Sequence, residues 1–521
     1  MKRILLYCGG LFMKLEGPLL PKRRKFSFSS MKLVEKKLRE WPPLLDKREV
    51  QDMVHGPISL FHPLDRVVDT REFQRLRELK QQGVTYFVYP CSTHSRFVHS
   101  LGTYWLAYKF VESLKRDPSL NITGQDHLCV SMAALCHDLG HGPFSHLFDG
   151  AFREASGAPP YTHESLSILI LRRIVSDPEI RAALEQYLGT GQEFETNMAF
   201  IEEIISSEKF DSNGTWLPRG RPVEKAFLYD VVANSNDSID VDKFEYLVRD
   251  SFCAGIPIPF NKHSIERLTE NARVLPDPNR GFPRICYAKK VADIVLSVGD
   301  SRQMLHNLLY QHRVVCAIEA MVVKAMTLAD KHLSYMGDDG VSYNLSEVTH
   351  NLEAYLKTTD AVLRDIANST APEMAEAQKI LSAIERRNIP VMIAEVECGP
   401  SCADSKMVSR KLREELGPDY DEGNIMVLAR VMHRGLDGRS HPMTRVLLYD
   451  NKAAGEVVAR TVDEEWLRLK TPREAAIWSI CLYVSRSMNA EERSKVGAAF
   501  DAVVTRSGLR SPECQRRNMA S

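Results

Sequence analysis

The chain has 521 residues, 44% of them hydrophobic, which is ample for a buried core and for about two to four domain-sized units. Lys plus Arg equal Asp plus Glu at 68 each, and this zero net charge argues against a dedicated nucleic-acid coat or a polybasic membrane binder while leaving room for a local basic pocket. No apolar run approaches the roughly 20 residues that span a bilayer, and the 11 cysteines, with no C-x-x-C pair among them, read as reduced, mostly buried thiols of a cytosolic or nuclear protein.

Residues 1–45 read as a flexible basic tail, Ser-rich at 27–30 and closing on Pro42-Pro43. Within it, Ile4–Met13 is apolar behind Lys2 and Arg3 but lacks the length and the cleavage site of a secretory signal. Pro21-Lys22-Arg23-Arg24-Lys25 is either a nuclear import signal or a solvated basic stretch. From residue 46 apolar residues recur at helical spacing. They predict helices over Phe73–Lys80 (with Arg71, Arg75 and Arg77 opposite), 101–114, 126–138, 164–175, 180–188, 197–206, 239–250, 291–299, 302–329, 345–367 and 373–386. Strand alternation is sparse until Ile389–Glu397, Ile425–His433 and Arg445–Tyr449. The expected fold is therefore mainly α: a helical catalytic domain over 46–394 and a smaller mixed α/β lobe over 395–521, with a regulatory or oligomerisation role. Cys398 and Cys402 are close in sequence, but no second half of a zinc site follows.

The chemistry concentrates between residues 94 and 163, which hold seven of the 16 histidines. The string runs H94-S-R-F-V-H99, then C-H137-D138-L-G-H141-G-P-F-S-H146-L-F-D149, then T-H163-E. Imidazoles suit transition metals and carboxylates suit harder ions. Gly140, Gly142 and Pro143 break the helix just past His137-Asp138, and glycine there allows close approach of backbone or ligand. A distant aspartate sits in a helical segment, I239-D-V-D242-K-F-E-Y246. A lone histidine is usually a satisfied core residue; burying this many polar groups without a role would be costly.

The pattern H…HD…D resembles the HD-domain phosphohydrolase superfamily. More narrowly, C-H-D-L-G-H-G-P-F-S-H-x-F-D, with D-T-x-x-F-Q-R-L-R upstream and I-D-V-D-K-x-x-Y downstream, is similar to the deoxynucleoside triphosphate triphosphohydrolases, in particular the animal enzymes that combine SAM and HD domains. The resemblance covers about 46–390 and loosens beyond. It implies an HD-type helical core in which His99, His137, Asp138 and Asp242 hold zinc, iron or manganese, with magnesium accompanying the nucleotide phosphates. It implies water attack on the α-phosphorus of a dNTP, releasing deoxynucleoside and whole triphosphate. The residues that match the family's substrate contacts are Arg96, Lys243, Arg302 and His306 for phosphate, Tyr246 and Tyr310 as hydroxyl donors, Gln81 and Asp250 for the sugar 3′-hydroxyl, and Gln311 facing the base. His141, His146 and His163 line the pocket, and His163 with Asp149 matches a pair that delivers a proton to the leaving oxygen. A carboxylate beside that imidazole would keep it protonated near pH 7.

The same resemblance implies a homotetramer assembled by GTP or dGTP, with dNTPs as second activators. Asp69, Gln74 and Arg77 match the guanine-nucleotide site; the competing reading makes Asp69 a helix N-cap and Arg77 a solvated cation. Arg387 matches the second activator site, and Lys290 and Arg313 are looser placements near it. Three departures stand out: no SAM domain fits within the first 45 residues; 261–275 reads as an insertion, with Ser264 and Ala288 where basic residues are expected near the second activator site; and the tail after about 505 reads as short, so the family's C-terminal phosphorylation control is not carried over. The expected consequence is lowered dNTP pools, in antiviral defence or pool balance, in the nucleus with the cytoplasm as second location. Rival readings are another HD phosphohydrolase acting on nucleotide mono- or cyclic phosphates, and a protein that binds single-stranded nucleic acid; no membrane association is expected.

Overall fold

The computed structural model describes residues 41–509, apart from 44–45, 207, 212–214, 400–403, 422, 437, 439, 452–456 and 472–474, together with the short strand Arg517–Asn518. The basic tail, Ile4–Met13, Pro21–Lys25 and Cys402 lie outside the described residues. The architecture is mainly α. Helices Arg96–Leu114 and Gly124–Cys136 form the centre, buried on nearly every face. Gly124–Cys136 begins in a capping box, in which Thr123 accepts from the Asp126 N–H and Asp126 accepts from the Thr123 N–H. Helix Gln192–Ser206 packs on its far side, and Val241–Ala254 packs on Arg96–Leu114. An antiparallel hairpin, Lys47–Asp52 with Gly56–Phe61, precedes this core and buries Ile58 and Leu60.

Several expected helices are divided, each for a local reason. Phe73–Lys80 is not one helix: Thr70 caps a single turn, Arg71–Gln74, which tightens into the 3-10 turn Arg75–Glu78. The stretch 302–329 splits as well. Ala292–Leu305 ends in a π-helical turn, His306–Tyr310, and His312 then caps a new helix, Arg313–Ala329. In place of one helix over 345–367 stand Leu352–Leu356 and Val362–Asn368. They are separated by Asp360, whose carboxylate accepts from the Lys80 N–H (2.9 Å) and the Phe144 N–H (2.7 Å).

Strands Val391–Cys398, Ala476–Val484 and Ile425–His433 form an antiparallel sheet with Arg517–Asn518 on its outer edge. Helices Ser405–Leu416 and Ala490–Arg506 cover it through a second apolar core that includes Val408, Leu412 and Phe500. A further sheet joins Ala272–Pro276 and Pro283–Ala288 to Leu447–Tyr449 and Arg460–Thr461, with Tyr287 opposite Leu448 in parallel register. The first two of these strands were not expected, because Pro276, Pro283 and the Asp277–Gly281 turn between them obscure the alternation. Among the described residues, no helix is long and apolar enough to cross a membrane. Cys129, Cys136, Cys286, Cys316 and Cys481 are buried thiols.

Candidate metal centre

Three helices deliver the centre. His99 lies in the first turn of Arg96–Leu114; His137 is the C-cap of Gly124–Cys136, with Asp138 next; Asp242 is in the first turn of Val241–Ala254, which Asp240 caps. The Nε2 atoms of His99 and His137 lie 3.1 and 3.3 Å from Asp242 Oδ1. The same two atoms lie 3.4 Å from Asp138 Oδ2 and Oδ1 respectively. Both Nε2 atoms are buried and lack a hydrogen-bond partner. The opposite ring nitrogens explain why: His99 Nδ1–H donates to Glu245 Oε2 at 2.6 Å, and His137 Nδ1–H donates to the Ala134 carbonyl at 2.8 Å. Each Nε2 therefore presents a lone pair, the tautomer that metal-ligating imidazoles adopt. Two such lone pairs and two carboxylates facing one point fit a divalent transition metal.

Glu245 is itself tied down. Its Oε1 accepts from Arg249 Nε at 2.6 Å and lies 3.2 Å from His55 Nε2, and Arg249 also pairs with Asp52 at 2.9 Å. Sequence spacing did not single out Glu245; its signal was its position one turn after Asp242 on the same helix. Gly102 serves the same contact, because a Cβ there would lie 2.2 Å from Glu245 Oε1. Burial favours the neutral His99 ring, but Asp242, Glu245 and Asp138 outweigh it and raise the pKa, so a cation held among these carboxylates competes with a proton for Nε2. Against burial, Arg96, His137 and His141 hold Asp138 well below the usual carboxylate range.

Beside this centre is a second cluster: His141, His146, Asp149 and His163. The expected His163–Asp149 pair does not form. Asp149 Oδ2 instead accepts from His141 Nδ1 at 2.5 Å, and its Oδ1 accepts from the Tyr161 hydroxyl at 2.6 Å. His163 stacks on the His141 ring, with centroids 3.9 Å apart. Burial, then the neighbouring His141 and His146, push the His163 pKa down to about 2, so its imidazole is neutral rather than held protonated. His146 falls to about 4, again chiefly through burial. Gly140 makes this approach possible, since a Cβ there would lie 2.0 Å from the His163 carbonyl oxygen. The next turn is strained: Phe144 and Ser145 have φ of 58° and 60°, and Arg96 and the Lys80 carbonyl fix the Ser145 hydroxyl at 2.7 and 2.9 Å.

One cavity of about 590 Å³ joins both clusters to the remaining expected residues. Arg96 donates to Asp138 through Nη1. Lys243 Nζ lies 3.2 Å from Asp240 Oδ2, and Arg302 donates to the His433 carbonyl at 2.5 Å. Tyr246 and His306 also line the cavity; burial drives the Tyr246 pKa up and that of His306 down. At the other end the Tyr310 hydroxyl donates to Asp250 Oδ2 at 2.6 Å, and His94 Nε2 contacts Asp250 Oδ1 at 2.7 Å. His94 was assigned no role from the sequence, although it stands in the same string. Gln311 donates to the Val431 carbonyl at 2.8 Å, and the Gln81 N–H donates to the His94 carbonyl at 3.0 Å.

The residues expected at the activator sites lie elsewhere. Thr70, not Asp69, is the N-cap of its helix, and both Asp69 oxygens accept from Arg48 at 2.9 and 3.0 Å. Gln74 Oε1 accepts from Arg77 Nε at 2.7 Å, and the Arg77 guanidinium lies 3.6 Å over the Phe97 ring. Asp69 lines a second cavity of about 940 Å³ with Arg66, Arg71 and Arg173. Arg387 is exposed, in left-handed conformation (φ 59°), and donates to the Phe87 carbonyl at 2.8 Å. Lys290 is exposed beside the Pro283–Ala288 strand, and Arg313 opens the Arg313–Ala329 helix. Ser264 closes a capping box with Asn261, and Ala288 ends its strand.

Residues 96–228 match the HD domain family model. The matched stretch contains His99, His137 and Asp138, while Asp242 lies beyond it. Fold and centre thus define an HD-domain protein. Within that class the chain is similar to the deoxynucleoside triphosphate triphosphohydrolase SAMHD1 of Gallus gallus, 40% identical over 350 residues, which are 66% of this chain and 56% of that protein. The human protein of that name is 38% identical over 352 residues, 67% of this chain and 55% of its own. The SAMHD1 homolog of Dictyostelium discoideum is 35% identical over 348 residues, with shares of 67% and 60%. The resemblance read from the histidine string is borne out, and the chain spans a little over half the length of these relatives.

Proposed function

We propose that the chain is a metal-dependent hydrolase that cleaves dNTPs to deoxynucleoside and inorganic triphosphate. The observation that carries this reading is the pair of orphaned Nε2 lone pairs of His99 and His137, converging with Asp138 and Asp242 beside a cavity that Arg96, Lys243 and Arg302 line. Those four residues would hold zinc, iron or manganese. When bound, such an ion lowers the pKa of water and polarises a phosphoryl oxygen. The chain's own groups do the rest. Arg96, Lys243 and Arg302, with magnesium on the phosphates, offset the roughly four negative charges of a triphosphate. Tyr246 and His306 hold its oxygens, while Gln81, Asp250 and Tyr310 seat the sugar and Gln311 faces the base. The His141–Asp149 pair, with His146 and His163 against it, is placed to move the proton to the leaving oxygen. The names borne by the relatives support this substrate class.

The reading extends to control: GTP or dGTP at Asp69, Gln74 and Arg77, a dNTP near Arg387, Lys290 and Arg313, a homotetramer, and lowered nuclear dNTP pools. Incubating metal-loaded protein with dGTP, or with dATP plus GTP, tests it. Triphosphate and deoxynucleoside are the expected products; pyrophosphate plus monophosphate, or no turnover, would refute the proposal. A dATP activity that ignores GTP in both wild type and Asp69→Ala would refute the control.

A further inference from the structure

Gln82 is 7% exposed, lines the cavity, and has no hydrogen-bond partner for either Nε2 or Oε1. A buried carboxamide with both atoms unmet is costly unless a ligand completes it. Two further amide oxygens in the same cavity, Gln81 Oε1 and Gln311 Oε1, are also unmet. A chain of contacts links Gln81, the residue before Gln82, to Tyr310 and so to Gln311. The Gln81 N–H meets the His94 carbonyl, the His94 ring meets Asp250, and Asp250 meets Tyr310, the neighbour of Gln311. The backbone at Gln82 has little freedom, because the next residue, Gly83, is left-handed (φ 53°) and a Cβ on it would lie 3.0 Å from the Phe144 carbonyl oxygen.

We infer that Gln82 reads the hydrogen-bonding edge of the nucleobase, with one donor and one acceptor on a single planar group. This rests on the triphosphohydrolase reading and adds a residue to it. Every standard base presents an adjacent donor and acceptor, in one order on adenine and cytosine and in the other on guanine and thymine. A carboxamide rotated by half a turn meets either order. The site therefore accepts all four bases and rejects a base of the same shape that has no such edge.

The test compares kcat/KM for dTTP with that for its 2,4-difluorotoluene isostere, the ratio being taken within one preparation so that any misfolded fraction cancels. Wild type is expected to prefer dTTP by about 5- to 150-fold, the discrimination available from a bidentate base contact. Gln82→Leu is expected to bring that ratio to about one. Gln82→Glu, which keeps two acceptors and loses the donor, is expected to raise dGTP relative to dATP and dTTP, because only guanine presents two adjacent donors, N1–H and N2–H. A wild-type ratio near one, or a ratio unchanged by Gln82→Leu, would overturn the inference while leaving the hydrolase reading intact. Failure of wild type to hydrolyse any dNTP would overturn both.

Discussion

Glu245 is where the account of the metal centre can be tested through a group that would not touch the metal. Glu245→Gln preserves size but removes the carboxylate that accepts the His99 proton at 2.6 Å and the Arg249 proton at 2.6 Å. The neutral amide leaves His99 Nε2 less basic and its ring less firmly oriented. Losses of this kind weaken metal binding by about 10- to 100-fold, or about 1.4–2.7 kcal/mol. Arg249 keeps Asp52 at 2.9 Å, so its charge is not orphaned. The fold should then lose only about 1–3 kcal/mol, short of the cost of an unpaired buried charge. Competition against a chelating dye measures the first quantity and thermal unfolding of the metal-free protein the second. Wild-type metal affinity combined with a lowered melting temperature would refute the reasoning, since Glu245 would then be only a structural anchor.

Gly102→Ala should mimic that loss from the opposite helix, because its Cβ would lie 2.2 Å from Glu245 Oε1. Metal content is expected to fall although alanine favours a helix by about 1 kcal/mol; full metal occupancy in a stabilised variant would contradict it. Burial pushes the Glu319 carboxyl, at the cavity wall, up to about 7. The folded-state value lies above the unfolded one of about 4.3, so the group's stability contribution is full below that pH and is lost as pH rises through about 7. Glu319→Gln should therefore unfold at a higher temperature than wild type at pH 8, by the equivalent of about 1–2 kcal/mol after allowing for partial exposure, with the gap closing towards pH 4.5. A gap independent of pH would count against the assignment. Asp149→Asn should lower kcat by about 10²- to 10⁴-fold with little change in KM, and an unchanged kcat would remove the His141–Asp149 pair from proton transfer.

Much of the centre was legible because the family's motif is local: His137, Asp138 and His141 fall within five residues, and Asp242 sits in a recognisable helix start. Relations across the fold were not legible. Asp149 is nearer in sequence to His141 than to His163, yet only the turn through Phe144 and Ser145 decides which imidazole it meets. Glu245, Arg249, His55 and Asp52 form one buried network from two distant segments, and periodicity records each merely as a polar position. The divided helices failed for a related reason. The apolar spacing over 302–329 and 345–367 persists across breaks that are set by a π turn and by Asp360 capping two remote N–H groups. The strand Pro283–Ala288 owes its place to pairing with Leu447–Tyr449, about 160 residues later, and Ala272–Pro276 pairs with it in turn.

Hydrolysis in ¹⁸O-labelled water tests the central claim most directly. With metal-loaded protein and dGTP, attack on the α-phosphorus would break its bond to the 5′-oxygen. The label should then appear in inorganic triphosphate and be absent from the 5′-hydroxyl of deoxyguanosine, and Asp242→Ala should yield neither product. Label in the 5′-hydroxyl, label confined to phosphate or pyrophosphate, or wild-type turnover by Asp242→Ala would contradict the account.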